Sequence, residues 1–306
     1  MTELSIVTST YNSEDSIREF FKKSREAVSA LELWLSRPVT FEIVVADDGS
    51  RDNTCGILEK EFSNIRELKI LILARNYGQH QAMLMGMREA VGEVIFILDS
   101  DLEEDPAWLL CFWKKLRGEN VRSVHGEYVR SAGPYWRRKG GELFWRMYNR
   151  LSSLDLPISQ TMARLMERDF LDAALASRRG SGLLAQIFLS SGISQPVIVE
   201  RSFKGNSSYS FRQKFSMATR QLVISSKEIW WRLTVVCFGV GAIGCLVAIC
   251  AAVLGTNFSV IAVGILMGVL FLPISAVAAI GYMLRGMLEI ATDSQPVIVR
   301  RRIAAG

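Results

Sequence analysis

The chain has 306 residues, which is enough for one large domain or two modest ones. Its formal net charge is only +5, and 49% of its residues are apolar, a high share for a purely soluble protein. The weak positive charge does not favour a nucleic-acid partner. The five cysteines show no paired spacing and three lie in long apolar segments, which argues against a disulfide framework or a zinc site.

Apolar runs alternate with helical periodicities along the first 128 residues. The runs predict strands at residues 4–8, 41–46, 68–73, 94–98 and 121–128, with a further strand at 195–200. Helical spacing predicts helices from the capping residue Ser13 to Trp34 and over 53–62, 79–91 and 107–116. This alternation predicts an α/β domain with a parallel sheet covered on both faces. In such sheets ligands bind outside the carboxyl ends of the strands.

Residues 93–106, with the sequence EVIFILDSDLEEDP, pass from a buried strand into five acidic side chains. Asp99 and Asp101 are two positions apart, so an extended chain places them on the same side. Two carboxylates at a strand end repel each other unless a cation lies between them, and a hard divalent ion that carries phosphate oxygens suits such ligands. The alternative is a solvated acidic turn that caps the helix beginning near Pro106.

Three other strand ends carry polar clusters, which favours a site over a simple helix cap. The clusters are Ser9-Thr10-Tyr11-Asn12, Asp47-Asp48-Gly49-Ser50 and Ala74-Arg75-Asn76-Tyr77-Gly78. No glycine-rich phosphate loop follows any predicted strand. Phosphate must therefore be held by a metal and by arginines.

After residue 128 the strand and helix pattern loosens. Residues 130–150 mix six basic side chains with five aromatic ones. This composition fits a segment that grips phosphate or lies at the level of lipid headgroups, and alternatively an ordinary amphipathic surface helix. Residues 211–232 are amphipathic, with Trp230 and Trp231 placed as interfacial anchors, and their basic residues suit an anionic membrane surface.

Two apolar segments without charge, 233–255 and 258–284, are each long enough at ~1.5 Å per residue to cross a hydrocarbon core of ~30 Å. They predict a tight transmembrane hairpin. Basic residues flank both outer ends, so the positive-inside rule leaves both termini in the cytoplasm, and nothing at the N-terminus resembles a signal peptide. We therefore expect a cytoplasmic domain over 1–210, a juxtamembrane amphipathic helix over 211–232, the two spans, and a cytoplasmic tail over 285–306.

Six short stretches of the chain, taken in order, resemble the motifs of a known family. They are SIVTSTYNSE, EIVVADDGSRDNT, LARNYGQHQAMLMGM, GEVIFILDSDLEEDP, ARLMERDF and NSSYSFRQK. They resemble the family 2 inverting glycosyltransferases of the polyprenyl-phosphate branch, which includes dolichol-phosphate mannose synthases and bacterial undecaprenyl-phosphate glucosyltransferases. The resemblance covers residues 4–214. It implies a GT-A type doubly wound domain that binds a nucleotide-sugar, followed by a two-helix transmembrane hairpin.

The resemblance also implies a role for individual residues. The nucleotide-sugar would be bound by Ser9, Tyr11, Glu14, Asp47, Asp48, Arg75, Asn76 and Asp99. Asp99 and Asp101 match the D-x-D pair of the family, and Glu103 stands at a further position that binds the metal, Mg²⁺ or Mn²⁺. Asp101 and Arg164 would be the catalytic residues, with Arg164 near the diphosphate and the acceptor. The phosphate of the lipid acceptor would meet Arg201, Ser208, Tyr209 and Arg212.

The chain departs from the family pattern at four places. Ser9 replaces a frequent proline, Glu103 a common glutamine, and Ser208 a frequent lysine. Thr161-Met162 replaces a glycine and an aspartate, so no general base can be assigned there. A phosphate monoester has a second pKa near ~6 and is largely a dianion at neutral pH, so a phosphate acceptor needs no base. A sugar hydroxyl would need one, for which Asp155, Asp105 and Glu127 are candidates. The two histidines, His80 and His125, are interpreted as structural.

The expected function is transfer of one sugar from a nucleotide-diphosphate sugar to polyprenyl (undecaprenyl) phosphate at the cytoplasmic face of the inner membrane, in the synthesis or modification of cell-envelope glycans. Related two-span enzymes imply a homo-oligomer. The first alternative is transfer to a hydroxyl of a lipid-linked oligosaccharide. The second is a membrane scaffold that kept the fold and lost activity. A processive polysaccharide synthase fits less well, because the chain lacks a Q-x-x-R-W sequence.

Overall fold

The computed structural model describes residues 2–62, 65–128, 146, 160–176, 194–200, 227–255, 258–293 and 297–304. The chain divides into two compact units. The first comprises Met1–Gly133, Pro157–Asn206 and Pro296–Gly306, and the second comprises Pro134–Leu156 and Ser207–Gln295. The C-terminal residues therefore belong to the same unit as the N-terminal domain.

The first unit contains eight described strands and five described helices. The strands are β1 (Leu4–Thr10), β2 (Phe41–Asp47), β3 (Leu68–Leu73), β4 (Val94–Ile97), β5 (Ser123–Tyr128), β6 (Gln160–Glu167), β7 (Gln195–Val199) and β8 (Val299–Ala304). The helices are α1 (Ile17–Leu35), α2 (Thr54–Glu61), α3 (Gln79–Glu89), α4 (Trp108–Gly118) and α5 (Arg168–Ala176). The alternation of strands and helices over residues 4–128 is confirmed.

The strands form one sheet in the order β7-β5-β6-β4-β1-β2-β3-β8. The four neighbours β4, β1, β2 and β3 are parallel, as their apolar runs predict. The sheet as a whole is mixed, because β6 runs antiparallel to both β4 and β5, and β8 runs antiparallel to β3. The prediction of a parallel sheet is thus confirmed for the four central strands and corrected on either side of them.

Both faces of the sheet are buried, which explains the continuous apolar run in β4. Val94 and Phe96 belong to a core cluster that also contains apolar side chains of α1, α2 and α4. Ile95 and Ile97 belong to a second cluster, with side chains of α3 and α5. Helices therefore cover the two faces separately, and the doubly wound α/β arrangement is confirmed.

The second unit contains two long helices, α6 (Lys227–Val253) and α7 (Phe258–Asp293). Each has a stretch long and apolar enough to cross a membrane, Trp230–Val253 and Phe258–Leu284, and these stretches are only 28% and 17% buried. Many of their large apolar side chains are exposed. Small residues let the two helices pack closely, since a Cβ on Gly264 would lie 2.5 Å from the carbonyl oxygen of Gly244.

The C-terminal region differs from the predicted tail over 285–306. Helix α7 continues past 284 to Asp293, and residues 299–304 then form β8 on the edge of β3. An open sheet edge exposes unpaired N–H and C=O groups, and β8 covers the edge of β3. Three arginines in succession, Arg300 to Arg302, resemble a membrane-flanking charge cluster in the sequence. For this reason the sequence pattern did not predict a strand here.

Candidate functional site

The predicted convergence of four polar loops is observed at the carboxyl ends of β1, β2, β3 and β4. The β1 and β2 loops are joined where Asn12 N–H donates to Ser50 Oγ (2.9 Å) and Arg51 N–H donates to Asn12 Oδ1 (2.8 Å). The β4 loop is joined to β1 where Ser100 Oγ donates to the carbonyl oxygen of Ser9 at 3.0 Å. Gln79, the first residue of α3, donates to Asp99 Oδ1 at 2.6 Å.

The two aspartates at the end of β2 are buried and hold loops in place. Asp47 accepts hydrogen bonds from Ser50 N–H (2.9 Å), from the Ser50 hydroxyl and from the Cys55 thiol (3.1 Å). Burial, with the Asp47 carboxylate beside it, raises the pKa of Cys55 to about 12, so this thiol stays protonated. Asp48 accepts from Tyr77 N–H (2.7 Å) and Gly78 N–H (2.9 Å). Burial raises the pKa of Asp48, and these two hydrogen bonds act against the rise.

Gly49 makes the contact between the β2 and β3 loops possible. Its φ of +71° lies in the left-handed region, and an added Cβ would lie 2.7 Å from the carbonyl carbon of Arg75 and 3.0 Å from the backbone nitrogen of Asn76. Arg75 and Asn76 themselves are exposed, and the guanidinium of Arg75 lies 4.8 Å from the ring centroid of Tyr77. The loop thus presents its polar side chains to solvent while its backbone is fixed by Asp48 and Gly49.

The residues of the β1 loop divide into exposed and structural ones. Tyr11 is exposed and open to a ligand. Glu14 accepts from the N–H of Asn53, the residue just before α2, at 2.9 Å. Ser9 is buried, and its hydroxyl has no hydrogen-bond partner within the described part of the chain. Helix α1 starts at Ile17 rather than at Ser13, and the residues before it contact the β2 loop, where Ser13 N–H donates to Thr54 and Glu14 N–H donates to Asp52.

The acidic loop after β4 holds the predicted metal-binding residues. Burial and the nearby charge of Asp101 raise the pKa of Asp99 to about 7, and the hydrogen bond from Gln79 acts against the rise. Asp101 is exposed, and its Oδ1 accepts from Glu103 N–H at 3.0 Å across a left-handed turn at Leu102. In the described ranges no three His, Cys, Asp or Glu side chains are already gathered as a metal-ligand cluster.

Glu104 is the acidic residue of this loop that sequence reasoning missed. It is buried, and its Oε1 accepts from the N–H groups of Met162 (2.6 Å) and Ala163 (3.0 Å) while Oε2 accepts from Asp99 N–H (3.1 Å). The Glu104 carboxylate therefore bridges the end of β4 to β6. Burial and the charge of Asp99 raise its pKa to about 8, against the three hydrogen bonds. The only sequence signal was its place in an unusually acidic run.

Arg164 lies in β6 opposite Ile97, close to the carboxyl end of β4. It is 3% exposed, and burial lowers its pKa to about 9, so the guanidinium remains charged at neutral pH. Its Nη1 donates to Ser123 Oγ at 3.3 Å, and Ser194 Oγ lies 3.1 Å from Ser123 Oγ and 2.9 Å from His125 Nδ1. Burial, followed by the charge of Arg164, lowers the pKa of His125 to about 4.

Several predicted residues lie outside the described ranges. They are the acceptor-phosphate residues Arg201, Ser208, Tyr209 and Arg212, the candidate base Asp155, and the basic and aromatic segment 130–150 apart from Arg146. Of the juxtamembrane segment 211–232, residues 227–232 form the start of α6. The residues that the structure adds to the prediction are Gln79, which contacts Asp99, together with Glu104, Tyr77 and the close approach of Gly49.

Comparison with known proteins supports the motif resemblance. A relative from Mycobacterium tuberculosis, described as "Putative glycosyltransferases", is 32% identical over 212 residues. These residues cover 69% of this chain and 60% of the relative. An undecaprenyl-phosphate 4-deoxy-4-formamido-L-arabinose transferase from Pseudomonas fluorescens is 30% identical over 251 residues, covering 80% of this chain and 71% of the relative. This chain thus spans less than two thirds of the mycobacterial relative.

Among solved structures, a glucosyl-3-phosphoglycerate synthase from Mycobacterium tuberculosis, in complex with Mn²⁺, uridine diphosphate and phosphoglyceric acid, is similar with a TM-score of 0.49 and 17% identity. The similar region covers 72% of this chain and 76% of the synthase. The family model described as Glycosyl transferase family 2 matches residues 5–175, more than half of this chain, and with the observed sheet it confirms a GT-A type domain. The chain therefore belongs to glycosyl transferase family 2.

Proposed function

We propose that this protein moves one sugar from a nucleotide-diphosphate sugar to polyprenyl phosphate, with undecaprenyl phosphate as the acceptor, at the cytoplasmic face of the inner (plasma) membrane. The reaction would serve cell-envelope glycan synthesis or modification. The main support is that four loops of a family 2 domain are joined by hydrogen bonds around an acidic strand end. The same chain also has two exposed apolar helices. The relatives named for transfer to undecaprenyl phosphate support this acceptor.

The nucleoside would meet the exposed side chains of Tyr11, Arg75 and Asn76. Asp47 and Asp48 are buried in the hydrogen bonds that shape their loops, so we assign them a positioning role beneath the nucleoside. The planar guanidinium of Arg75 lies over Tyr77 and is suited to stacking and to phosphate recognition. In this arrangement, the β2 and β3 loops act together as one donor-binding surface.

The acidic loop fits a divalent metal by the chemistry of its donors. Burial and then the charge of Asp101 disfavour the ionised form of Asp99, and a cation between the two carboxylates relieves their repulsion. Carboxylate oxygens are the ligands that Mg²⁺ and Mn²⁺ prefer. We assign the metal to Asp99 and Asp101, with Glu103 as a further ligand. When bound, it would neutralise negative charge on the donor diphosphate.

The acceptor would attack the anomeric carbon of the sugar, with inversion, as a phosphate dianion that needs positioning but no deprotonation. The buried side chain of Glu104 accepts hydrogen bonds from the backbone N–H groups of Met162, Ala163 and Asp99. Glu104 is therefore occupied as a structural bridge and is not placed as a base. Arg164, charged and buried beside the end of β4, would contribute positive potential to the transferring diphosphate.

The test is incubation of the purified full-length protein with a panel of nucleotide-sugars, Mg²⁺ or Mn²⁺, and undecaprenyl phosphate. One productive donor and an acid-labile monophosphodiester product are the expected results. An extended glycan made only on a lipid-linked oligosaccharide would replace the proposed acceptor by a sugar hydroxyl. Failure to bind any nucleoside diphosphate with either metal would indicate a scaffold without activity.

A further inference from the structure

Ile298, the residue just before β8, contacts the loop after β3 at residues 74–78, which is called the donor loop below. Its carbonyl oxygen accepts from Ala74 N–H at 2.9 Å, and its N–H donates to the Tyr77 hydroxyl at 3.2 Å. The Ile298 side chain is 57% exposed, so the residue acts through its backbone. Both contacts lie within the first compact unit, and they bracket Arg75 and Asn76.

The neighbouring residues hold the strand firmly in this position. Strand β8 pairs antiparallel with β3, from Leu73 opposite Val299 to Lys69 opposite Ala304. Val297 and Val299 pack against the core cluster that Tyr77 also contacts. Two ion pairs add to the pairing, Arg301 with Glu59 at 2.7 Å and Arg302 with Glu89 at 2.9 Å.

Tyr77 connects this strand to the buried floor of the donor loop. Its backbone N–H donates to Asp48, its ring lies beneath the guanidinium of Arg75, and its hydroxyl accepts from Ile298. The backbone of Tyr77 is thus fixed by Asp48, which follows β2, and its hydroxyl by Ile298, which precedes β8. The guanidinium of Arg75 thus lies over a ring whose residue is fixed both at its backbone and at its hydroxyl.

We propose that Tyr77 is a positioning residue for the donor and that β8 is the clamp that orients it. The proposal rests on the proposed function, because the 75–78 loop is assigned to the nucleotide-sugar. Five residues separate the end of α7 at Asp293 from the start of β8 at Val299. The residue that contacts Ala74 and Tyr77 thus follows the second apolar helix in the sequence, and in the proposal it fixes the loop at residues 74–78 for the donor.

The experiment removes the same hydrogen bond from each side in the full-length protein. Tyr77→Phe deletes the accepting hydroxyl and keeps the ring under Arg75. Ile298→Pro deletes the donating N–H, while the matched control Ile298→Ala keeps it and removes only an exposed side chain. Tyr282→Phe, on α7, is the control for loss of a tyrosine hydroxyl.

Two readouts are measured on each protein, hydrogen exchange of the peptide covering residues 74–80 and the steady-state kinetics of transfer with the donor that the panel identifies. We expect Tyr77→Phe and Ile298→Pro to speed exchange and to raise KM for the donor by about fivefold, the loss expected for one hydrogen bond, with little change in kcat. The double variant should match either single variant, because both remove one bond. Both controls should behave as the wild type.

Three outcomes overturn the inference. They are unchanged exchange in both variants, faster exchange without a change in donor KM, and additive effects in the double variant. Failure of the proposed function is seen separately, in the wild-type protein, as absence of transfer from every donor and absence of binding to UDP, GDP, ADP and CDP with Mg²⁺ or Mn²⁺. The variants test the clamp, and the wild type tests the reaction.

Discussion

Glu104 Oε1 accepts a hydrogen bond from the backbone N–H of Met162 at 2.6 Å, which joins the loop after β4 to the antiparallel strand β6. The same oxygen accepts from Ala163, and the other carboxylate oxygen accepts from Asp99. One buried side chain thus takes the place of ladder hydrogen bonds where the two strands separate. The position of Asp99, a proposed metal ligand, depends on it.

At a pH above 8, where Glu104 is ionised, Glu104→Gln should destabilise the protein and impair transfer, because an amide has one accepting oxygen and its NH₂ group would face a backbone N–H. Leaving a buried donor without a partner costs about 1–3 kcal/mol, and displacement of a reacting group by ~1 Å costs on the order of 100-fold in rate. Apparent melting temperature and kcat/KM are the measurements. Glu26→Gln, at an exposed position of α1, is the control. Wild-type values for Glu104→Gln would show that the bridge is dispensable.

Gly49→Ala should separate the β2 and β3 loops. The new Cβ would lie 2.7 Å from Arg75 backbone, and the φ of +71° is unfavourable for alanine. We expect a loss of stability of about 1–3 kcal/mol and a higher KM for the donor. Gly118→Ala is the matched control, because a Cβ there meets nothing within 4 Å. Equal melting temperatures for the two variants would contradict the close approach.

The central strands were predictable because strands buried on both faces are continuous apolar runs, and β4 shows this plainly. The convergence of the four loops was predictable as well, because the carboxyl ends of parallel strands lie at the same edge of a sheet. The interlocking contacts were not. Glu14 binds the Asn53 backbone and Asp48 binds the 77–78 backbone, and each joins residues about 30 or more positions apart, which no local pattern encodes.

The edge strand β8 shows where sequence patterns fail. Its sequence, VRRRIA, lacks apolar alternation, and its partners are remote in the sequence. Arg301 pairs with Glu59 and Arg302 with Glu89, so charges that resemble a membrane flank act in ion pairs on the sheet edge. Pairing with β3, which is remote in the sequence, therefore determines this strand.

Asp101→Ala should abolish transfer while expression and membrane insertion remain intact. Asp101 is exposed, so its loss leaves no cavity, whereas removal of a group that stabilises transition-state charge costs on the order of 100-fold to 1000-fold in kcat. Turnover with the identified donor is the measurement, and Asp172→Ala, exposed on α5, is the control. Normal turnover of Asp101→Ala would refute the assignment of the metal to this loop.

His125 should make the protein less stable as the pH falls from about 6.5 to about 4. An unfolded histidine binds a proton near pH 6.5. The pKa of His125 in the fold is lowered to about 4 by burial and by the charge of Arg164, although Glu127 acts in the opposite direction. Between these values the unfolded state binds more protons, which favours unfolding. The stabilising contribution is therefore complete above pH 6.5 and is lost on acidification.

The measurement is the apparent melting temperature of the wild type and of His125→Gln at pH 7.5 and pH 5. Between pH 7.5 and pH 5 the free energy of unfolding should fall by roughly 2 kcal/mol more in the wild type than in the variant, from the linkage relation for one group. The melting temperature of the wild type should therefore fall further than that of the variant. Asp99 and Glu104 titrate with the opposite sign, because their raised pKa values make their contribution largest at low pH and diminish it as the pH rises toward 7 and 8. Both proteins contain them, so the difference between wild type and variant isolates His125. Parallel pH profiles would show that His125 is protonated in the fold, beside Arg164.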